Sequence, residues 1–385
     1  MNNKPDLLPA PYAEFMRLPF RPELQGVAPY GAPHPDVPVV LNVNENPYAP
    51  SDAVVAEIAA AVAHAATGLN RYPDRDFREL RAALAAYLQR EAGVALPGQQ
   101  LWAANGSNEV MTHLFLAFGG PGRSAISFTP TYSMYPEYAR DTHTSYYTAP
   151  RDPDYRVDLA RAQDLLARHR PSLLVLASPN NPTGTAQDLA LTRQLLEATR
   201  ASGPRDVDGA PTATVVVIDE AYGEFRRAGT PSALTLLADY EHLVVTRTMS
   251  KAFGAAGLRL GYCAAAAAII DALTVVRLPY HLSAITQAAA LAALKHQDSL
   301  MSQVAALRAE RDALVDWLRA EGLDALDSDA NFVLFGPLPE PTKVFTELLA
   351  RGIIIRQVGP AGYLRVTVGT PTEMAAFKAA LKESM

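Results

Sequence analysis

The chain has 385 residues, of which 49% are hydrophobic and 19% charged, so its length and composition favour two domains around a large buried core. These values exclude a disordered or collagen-like chain, and a net charge of −6 provides no general surface for polyanions. A single cysteine, Cys263, excludes an intramolecular disulfide and a multi-cysteine metal site. The first twenty residues lack the apolar core of a signal peptide and no apolar stretch reaches membrane-spanning length, so we expect a globular cytoplasmic protein.

The first 282 residues predict an N-terminal arm followed by a large α/β domain. Residues 1–50 are rich in proline and predict an extended arm that joins the smaller domain. From residue 51 onward, helical and strand-like patterns alternate, which is typical of a mainly parallel sheet covered by helices on both faces. The predicted helices lie at 52–66, 76–92, 107–118, 158–169, 187–201 and 267–276, and the predicted strands at 124–128, 172–178, 214–219, 242–246 and 258–264.

The pattern changes at residue 283 and predicts a smaller α+β domain over 283–385. Its predicted elements are a long helix from 283 to 321, strands at 332–335, 353–355 and 363–368, and helices at 341–351 and from 371 onward.

Polar side chains follow three of the apolar strands. Asn181 lies in the segment SPNNPTG, Asp219 and Tyr222 follow the next strand, and Ser250 and Lys251 follow the one after. Ligands of open α/β sheets bind beyond the carboxyl ends of the strands, so these side chains are expected at one rim. Singly, each residue also suits an ordinary surface position, and their joint occurrence at successive strand ends is the signal.

A lysine beside a carboxylate suits pyridoxal phosphate, because the amine can form a Schiff base and the carboxylate can pair with the protonated pyridine nitrogen. The phosphate needs its own site. Gly106 and Ser107 precede a helix whose free N–H groups can bind an anion, and Ser250 and Arg259 can add a hydroxyl and a guanidinium. A simple helix cap and a surface arginine are the alternatives. We find no nucleotide-binding glycine loop, zinc-protease motif or serine-hydrolase elbow, and the scattered histidines predict no metal site.

Longer motifs carry a family resemblance. The segments NNPTG (180–184), DEAY (219–222) and SKAFGAAGLRLGY (250–262) resemble the fold type I pyridoxal-phosphate aminotransferases of class I/II. The segments LNVNENPYAPS (41–51), LNRYPD (69–74), AANGSNEV (103–110), FTPTYSMY (128–135) and LRVTVGT (364–370) are similar to histidinol-phosphate aminotransferases. The resemblance spans about residues 17–372. It implies a seven-stranded, mainly parallel sheet and a homodimer.

The implied activity is an amino-acid biosynthetic transfer. The resemblance implies that the enzyme moves an amino group from glutamate to imidazole-acetol phosphate, giving L-histidinol phosphate and 2-oxoglutarate in histidine biosynthesis. Lys251 would form the Schiff base and move the proton, with Asp219 at the pyridine nitrogen and Tyr222 as the other catalytic residue.

The resemblance also implies binding roles for other positions. Tyr222 and Asn181 would hydrogen-bond the phenolic oxygen of the cofactor ring, and Tyr132 would stack on the ring. The phosphate would be held by Ser107, Asn108, Ser250 and Arg259, with Tyr72 reaching the cofactor of the neighbouring subunit. The substrate would meet Arg365, Arg356, Asn46 and Tyr30, with Tyr280 contributed by the partner. The loop between Arg356 and Arg365 is shorter than in some family members.

Three other functions share parts of this pattern. An aromatic amino acid aminotransferase would use the same scaffold, and preference for a phosphorylated substrate would separate the two. A pyridoxal-phosphate decarboxylase would release carbon dioxide without an oxo-acid acceptor. A non-catalytic, cofactor-binding regulator would carry a DNA-binding unit, and no helix-turn-helix pattern precedes residue 50.

Overall fold

The computed structural model describes residue 19 and residues 21–385. The first part of the predicted N-terminal arm, residues 1–18 and residue 20, lies outside the described residues. Among the described residues, no helix combines the length and apolarity needed to span a lipid bilayer. No group of three or more His, Cys, Asp or Glu side chains in this part of the chain is placed to hold a metal ion.

Most of the predicted helices and strands are present, whereas the helix Tyr135–Asp141 and the strands Leu101–Ala104 and Ser145–Pro150 were not predicted, and the predicted helix over 283–321 is two helices. In the described part of the chain, the α-helices are α1 (Asp52–Ala66), α2 (Arg78–Ala92), α3 (Ser107–Phe118), α4 (Tyr135–Asp141), α5 (Leu159–His169), α6 (Leu189–Thr199), α7 (Ala267–Val276), α8 (Ala284–Lys295), α9 (Gln297–Ala320), α10 (Pro341–Ala350) and α11 (Pro371–Ser384). The strands are β1 (Val39–Val40), β2 (Leu101–Ala104), β3 (Ser124–Thr129), β4 (Ser145–Pro150), β5 (Leu173–Ala177), β6 (Val215–Asp219), β7 (Leu243–Thr248), β8 (Gly261–Ala265), β9 (Asp324–Ala325), β10 (Phe332–Gly336), β11 (Ile353–Ile354) and β12 (Leu364–Thr367).

Local chemistry explains several helix ends. Ser51, Ser283 and Thr370 accept hydrogen bonds from the first turns of α1, α8 and α11, and the last of these is a capping box with Glu373. Helix α2 ends at Gly93, whose φ of 71° is readily adopted by a residue without Cβ.

Seven strands form the central sheet in the order β2-β8-β7-β6-β5-β3-β4. Strands β7, β6, β5, β3 and β4 run parallel, while β8 is antiparallel to both of its neighbours. The mainly parallel seven-stranded sheet is therefore confirmed. Strands β5, β6 and β7 are buried along their whole length, which explains why their sequences are continuously apolar.

The N-terminal segment connects directly to the C-terminal elements. Strand β1 pairs in parallel with β11, and the next residue, Leu41, receives a hydrogen bond from the Thr367 amide on β12. Strands β12, β10 and β9 form a separate three-stranded antiparallel sheet. Residues 42–45 follow directly after Leu41. The pairing of β1 therefore places them beside the central sheet, where they line a cavity.

Candidate active site

A cavity of about 650 Å³ lies at the carboxyl ends of the central strands. Parallel strands deliver polar side chains to this position because the sheet's switch in strand order leaves a crevice there. The sequence-predicted residues that line it are Tyr30, Ser107, Asn108, Tyr132, Asn181, Asp219, Tyr222, Ser250, Lys251, Arg259, Arg356 and Arg365. Residues separated by more than 300 positions in the chain thus share one cavity.

Lys251 follows β7 and projects into this cavity. Its Nζ donates a hydrogen bond to the Val43 carbonyl at 2.9 Å. Burial lowers the pKa of Lys251 to about 8, and the nearby positive charge of Arg365 adds to this effect. A large fraction of the molecules therefore has a neutral Lys251 amine slightly above physiological pH, and a nucleophilic or basic amine must be neutral.

Asp219 is the last residue of β6 and is almost completely buried. Its carboxylate accepts hydrogen bonds from Tyr135 (2.9 Å), Thr246 (3.0 Å) and the Ala221 amide (3.2 Å). Burial raises the pKa of Asp219, and these three donors partly offset that shift. Among the described residues, none of its hydrogen-bond donors carries a formal charge, so the carboxylate suits a cationic group in the cavity.

The neighbouring Glu220 has a different environment. It forms ion pairs with Arg226 and Arg247. Burial acts to raise the pKa of Glu220, but the charges of these two arginines outweigh burial and leave the pKa lowered. Glu220 therefore belongs to a buried ion-pair network and does not line the cavity, whereas Asp219 does.

An anion-binding corner is formed where helix α3 begins. The first amides of an α-helix have no intrahelical acceptor, and those of Ser107 and Asn108 open the helix in the cavity wall. Ser250 and Arg259 complete this corner. A Cβ on Gly106, whose φ is 87°, would lie 2.7 Å from Arg259 Nη2, so glycine permits the close approach of the guanidinium.

Two arginines form a second cationic region of the cavity, Arg365 on β12 and Arg356 at the start of the loop that leads to it. The backbones of Arg356 and Arg365 exchange hydrogen bonds of 2.9 and 2.8 Å, so the short loop between them brings both guanidinium groups to the cavity. Arg365 donates to Asn181 Oδ1 at 2.5 Å and to the Asn42 carbonyl at 2.8 Å. Within the described residues, Arg365 Nε and Arg356 Nη1 are buried without an acceptor, which suits an anionic ligand.

Aromatic side chains occupy the rest of the wall. Tyr222 is buried and its hydroxyl accepts a hydrogen bond of 2.8 Å from Asn44 Nδ2, which leaves the phenolic hydrogen available for donation. Tyr132 is half-buried, and burial raises its pKa. Tyr30 is 50% exposed and comes from the segment that precedes β1. The wall therefore offers flat apolar faces beside the polar groups.

Three of the predicted residues do not line the cavity of this chain. Asn46 donates a hydrogen bond of 3.3 Å to the carbonyl of Ala252, the residue that follows Lys251. Tyr72 and Tyr280 stack on each other with their ring centres 4.4 Å apart, and Tyr72 is 80% exposed. The structure therefore brings Tyr72 and Tyr280 together at the surface, while Asn44 occupies the cavity wall that we expected Asn46 to share.

Sequence reasoning missed several residues of the site. Tyr135 and Thr246 bind Asp219, and Asn42 and Asn44 bind Arg365 and Tyr222. The segments that contain Tyr135, Asn42 and Asn44 are among those that carry the family resemblance, which is the one signal that marks them. Nothing in the local sequence pairs them with partners 27 to 323 positions away.

The fold and this site define a class of protein. Residues 37–381 match the model of the family described as aminotransferase class I and II, and the chain belongs to that family. Among its relatives, histidinol-phosphate aminotransferase 3 of Burkholderia lata is 56% identical over 368 residues, which cover 96% of each chain. The histidinol-phosphate aminotransferase of Thermobifida fusca is 56% identical over 364 residues, covering 94% of this chain and 95% of that protein.

Solved structures share the fold. The histidinol-phosphate aminotransferase of Sinorhizobium meliloti, determined in complex with pyridoxal 5′-phosphate, superposes with a TM-score of 0.81 at 24% identity and covers 95% of this chain and 97% of that one. The aspartate aminotransferase of Thermus thermophilus with maleate superposes with a TM-score of 0.73 at 26% identity, covering 89% and 90% of the two chains.

Proposed function

We propose that this chain is a pyridoxal-phosphate enzyme that moves an amino group from glutamate to imidazole-acetol phosphate, giving L-histidinol phosphate and 2-oxoglutarate. The observation that carries the proposal is one cavity with two separate cationic ends, the α3 corner with Arg259 and the pair Arg356 and Arg365. A cofactor phosphate and an anionic substrate group need two such ends. The names of relatives that are 56% identical over nearly the whole chain support the particular substrate.

The residues present fit the cofactor. The α3 corner suits its phosphate, the buried carboxylate of Asp219 suits its pyridinium nitrogen, and Lys251 suits its aldehyde. We assign phosphate binding to Ser107, Asn108, Ser250 and Arg259, stacking to Tyr132, and hydrogen bonding of the phenolic oxygen to Tyr222 and Asn181. Asn181 Oδ1 is engaged by Arg365, so its Nδ2 is free to donate.

Each protein group then has a chemical task. Bound pyridoxal phosphate supplies an electrophilic carbonyl carbon and a ring that accepts the electrons released at the substrate Cα. The neutral Nζ of Lys251 would remove the proton from the substrate Cα and deliver it to the former aldehyde carbon of the cofactor, a role that typically contributes on the order of 10²- to 10⁴-fold in rate. Asp219 holds the proton on the ring nitrogen. Arg365 binds the α-carboxylate of glutamate, and with Arg356 it binds the phosphate of the second substrate.

We further propose a homodimer with three chain regions. Tyr72 is assigned to the cofactor phosphate of the neighbouring subunit and Tyr280 to its substrate pocket, because both rings are together on the surface and away from their own cavity. Tyr30 lines the cavity and remains a proposed substrate-pocket residue, whereas Asn46 does not line it. The regions are an arm over 1–50, a large domain over 51–282 and a small domain over 283–385. The buried free thiol of Cys263 is compatible with work in the reducing cytoplasm.

The tyrosine-rich wall of the cavity also suits an aromatic amino acid aminotransferase. Tyr30, Tyr132 and Tyr222 would also accommodate the ring of phenylalanine or tyrosine. A half-reaction assay on the purified holoenzyme separates the two functions by following the loss of visible absorbance with histidinol phosphate, glutamate, phenylalanine, tyrosine and aspartate. We expect rapid loss with histidinol phosphate and glutamate. A preference for phenylalanine or tyrosine over histidinol phosphate would identify an aromatic aminotransferase instead.

A further inference from the structure

Asp219 is held by hydroxyl groups from both sides. The Tyr135 hydroxyl donates to Oδ2 at 2.9 Å, and the Thr246 hydroxyl donates to Oδ1 at 3.0 Å. The two donors come from different elements, since Tyr135 begins α4 and Thr246 lies on β7 beside the aspartate strand. With the Ala221 amide, they bind both carboxylate oxygens, which restricts rotation of the carboxylate.

Neutral donors have an effect that a cation would not have. An ion pair would stabilise the ionised carboxylate and also cancel its charge. Hydroxyl donors stabilise the ionised form and leave its full negative charge available to a ligand. Burial raises the pKa of Asp219, while the bonds from Tyr135 and Thr246 oppose the rise. The Ala221 amide also opposes the rise, while the negative charge of the adjacent Glu220 adds to it, so the two hydroxyls contribute to keeping the buried carboxylate ionised.

Tyr135 is suited to this task because its phenol stays protonated and an ionised carboxylate can only accept its hydrogen. Its ring is completely enclosed, and burial next to Asp219 raises its pKa well above the ordinary value. The phenol therefore keeps its hydrogen at any working pH, and the adjacent carboxylate fixes the direction of the bond.

We propose that the hydroxyls of Tyr135 and Thr246 are positioning groups that keep Asp219 ionised and aligned for the ring nitrogen of the cofactor. This inference rests on the proposed function, because it requires a cationic nitrogen facing Asp219. Neither residue lines the cavity, so both act through the aspartate.

The direction of the expected effect follows from the chemistry. Removing either hydroxyl raises the pKa of Asp219, so the carboxylate takes up its proton at a higher pH. A protonated Asp219 no longer attracts the ring nitrogen. The affinity for pyridoxal phosphate then begins to fall at a higher pH on acidification than it does in the wild type.

The chain offers a matched control for Tyr135. Tyr138 lies one helical turn further along α4 and is also buried, and among the described residues its hydroxyl has no hydrogen-bond partner. Tyr135→Phe and Tyr138→Phe remove the same atom from neighbouring positions. For Thr246, Thr246→Val removes the hydroxyl and Thr246→Ser retains it.

The experiment measures the dissociation constant of pyridoxal phosphate from each apoprotein by equilibrium dialysis between pH 5 and 8, after circular dichroism has established folding. We expect Tyr135→Phe and Thr246→Val to weaken binding near pH 6 about tenfold, the factor for a difference of about 1.4 kcal/mol, and to shift the acid midpoint upward. Tyr138→Phe and Thr246→Ser should keep midpoints close to that of the wild type.

Distinct results separate the inference from the proposed function. If the wild-type protein does not bind pyridoxal phosphate, the proposed function is wrong. If it binds and Tyr135→Phe titrates like Tyr138→Phe, the inference is overturned for Tyr135. Should Tyr135→Phe fail to fold, the Thr246 pair decides, because equal midpoints for Thr246→Val and Thr246→Ser would refute the positioning role.

Discussion

At the scale of single residues, burial of the Lys251 amine should set the pH dependence of its reaction with the cofactor aldehyde. An exposed lysine has a pKa of about 10.4, whereas burial lowers the pKa of Lys251 to about 8. Only the neutral amine attacks the cofactor aldehyde, so the rate of attachment should rise with pH and level off above a midpoint near 8. Stopped-flow absorbance after mixing apoprotein with pyridoxal phosphate measures this rate, and a midpoint near 10 would contradict the assignment.

The planar guanidinium of Arg365 should be required for the binding of glutamate. Its guanidinium donates to Asn181 and to the Asn42 carbonyl while a further buried N–H remains available, and a lysine ammonium cannot reproduce this planar arrangement. Arg365→Lys should therefore raise KM for glutamate at least tenfold, an effect of about 1.4 kcal/mol, with a smaller change in kcat.

The exposed Arg351 provides the control for this change. It forms surface ion pairs with Glu347 and Glu383, so Arg351→Lys should leave both kinetic constants nearly unaltered. Steady-state kinetics with varied glutamate compare the two variants. An unchanged KM in Arg365→Lys would remove this arginine from the proposed carboxylate site.

Residue-level prediction succeeded where one short segment carries the chemistry. Lys251 and Asp219 stand directly at strand ends, so local sequence sufficed to bring them to one cavity. Tyr135 was missed because its partner Asp219 lies 84 positions away, and nothing in the local sequence indicates that the two residues meet. Asn46 was expected in the cavity that Asn44 lines, because two asparagines in one short extended segment cannot be told apart without knowing which face is turned inward.

At the scale of elements, the contact between β8 and the start of α3 controls the anion-binding corner. A Cβ on Gly261 would lie 2.0 Å from the Ser107 amide nitrogen and 2.3 Å from the Gly106 carbonyl carbon. Gly261→Ala should therefore displace the first turn of α3 and weaken pyridoxal-phosphate binding at least tenfold, or about 1.4 kcal/mol.

Gly257 is the matched control for this glycine. A Cβ there meets no atom within 4 Å, so Gly257→Ala should bind the cofactor like the wild type. Equilibrium dialysis of both apoproteins provides the measurement. Equal affinities in the two alanine variants would show that α3 is not held by this contact.

Burial favoured the prediction of several strands, although β2 is fully buried and was not predicted. Strands β5, β6 and β7 are continuously apolar because both faces are covered. Strand β4 was missed because it lies at the edge of the sheet and none of its residues is fully buried. The predicted helix over 283–321 is two helices separated at His296, whose φ of −99° and ψ of 19° interrupt the helix, while the apolar spacing continues across the break.

The predicted strand over 258–264 begins instead at Gly261. Arg259 has a φ of 58°, which turns the chain before β8 and directs the guanidinium toward Gly106. The local pattern Leu-Arg-Leu favours an extended strand, and the contact with the α3 corner overrides it. Site geometry and secondary structure are therefore decided together at this point.

At the scale of the whole molecule, the proposed dimer divides each active site between two chains. Lys251 lines the cavity of its own chain, whereas Tyr72 is 80% exposed and stacks on Tyr280 outside that cavity. If Tyr72 serves the neighbouring site, a defect at Lys251 and a defect at Tyr72 damage different sites of the same dimer. Mixing two inactive variants can then restore one complete site.

Lys251→Ala and Tyr72→Ala should therefore complement each other. In a mixed dimer, the site with the intact lysine receives Tyr72 from the Lys251→Ala chain and is whole, while the other site carries both defects. When an equal mixture is unfolded and refolded, random pairing should make about half of all dimers mixed. Each mixed dimer has one complete site of two, so the activity per total site should reach up to about a quarter of the wild-type value. A mixture of Lys251→Ala with Arg365→Ala should gain nothing, because both residues line the cavity of their own chain. Equal activity in the two mixtures would place Tyr72 outside the neighbouring site.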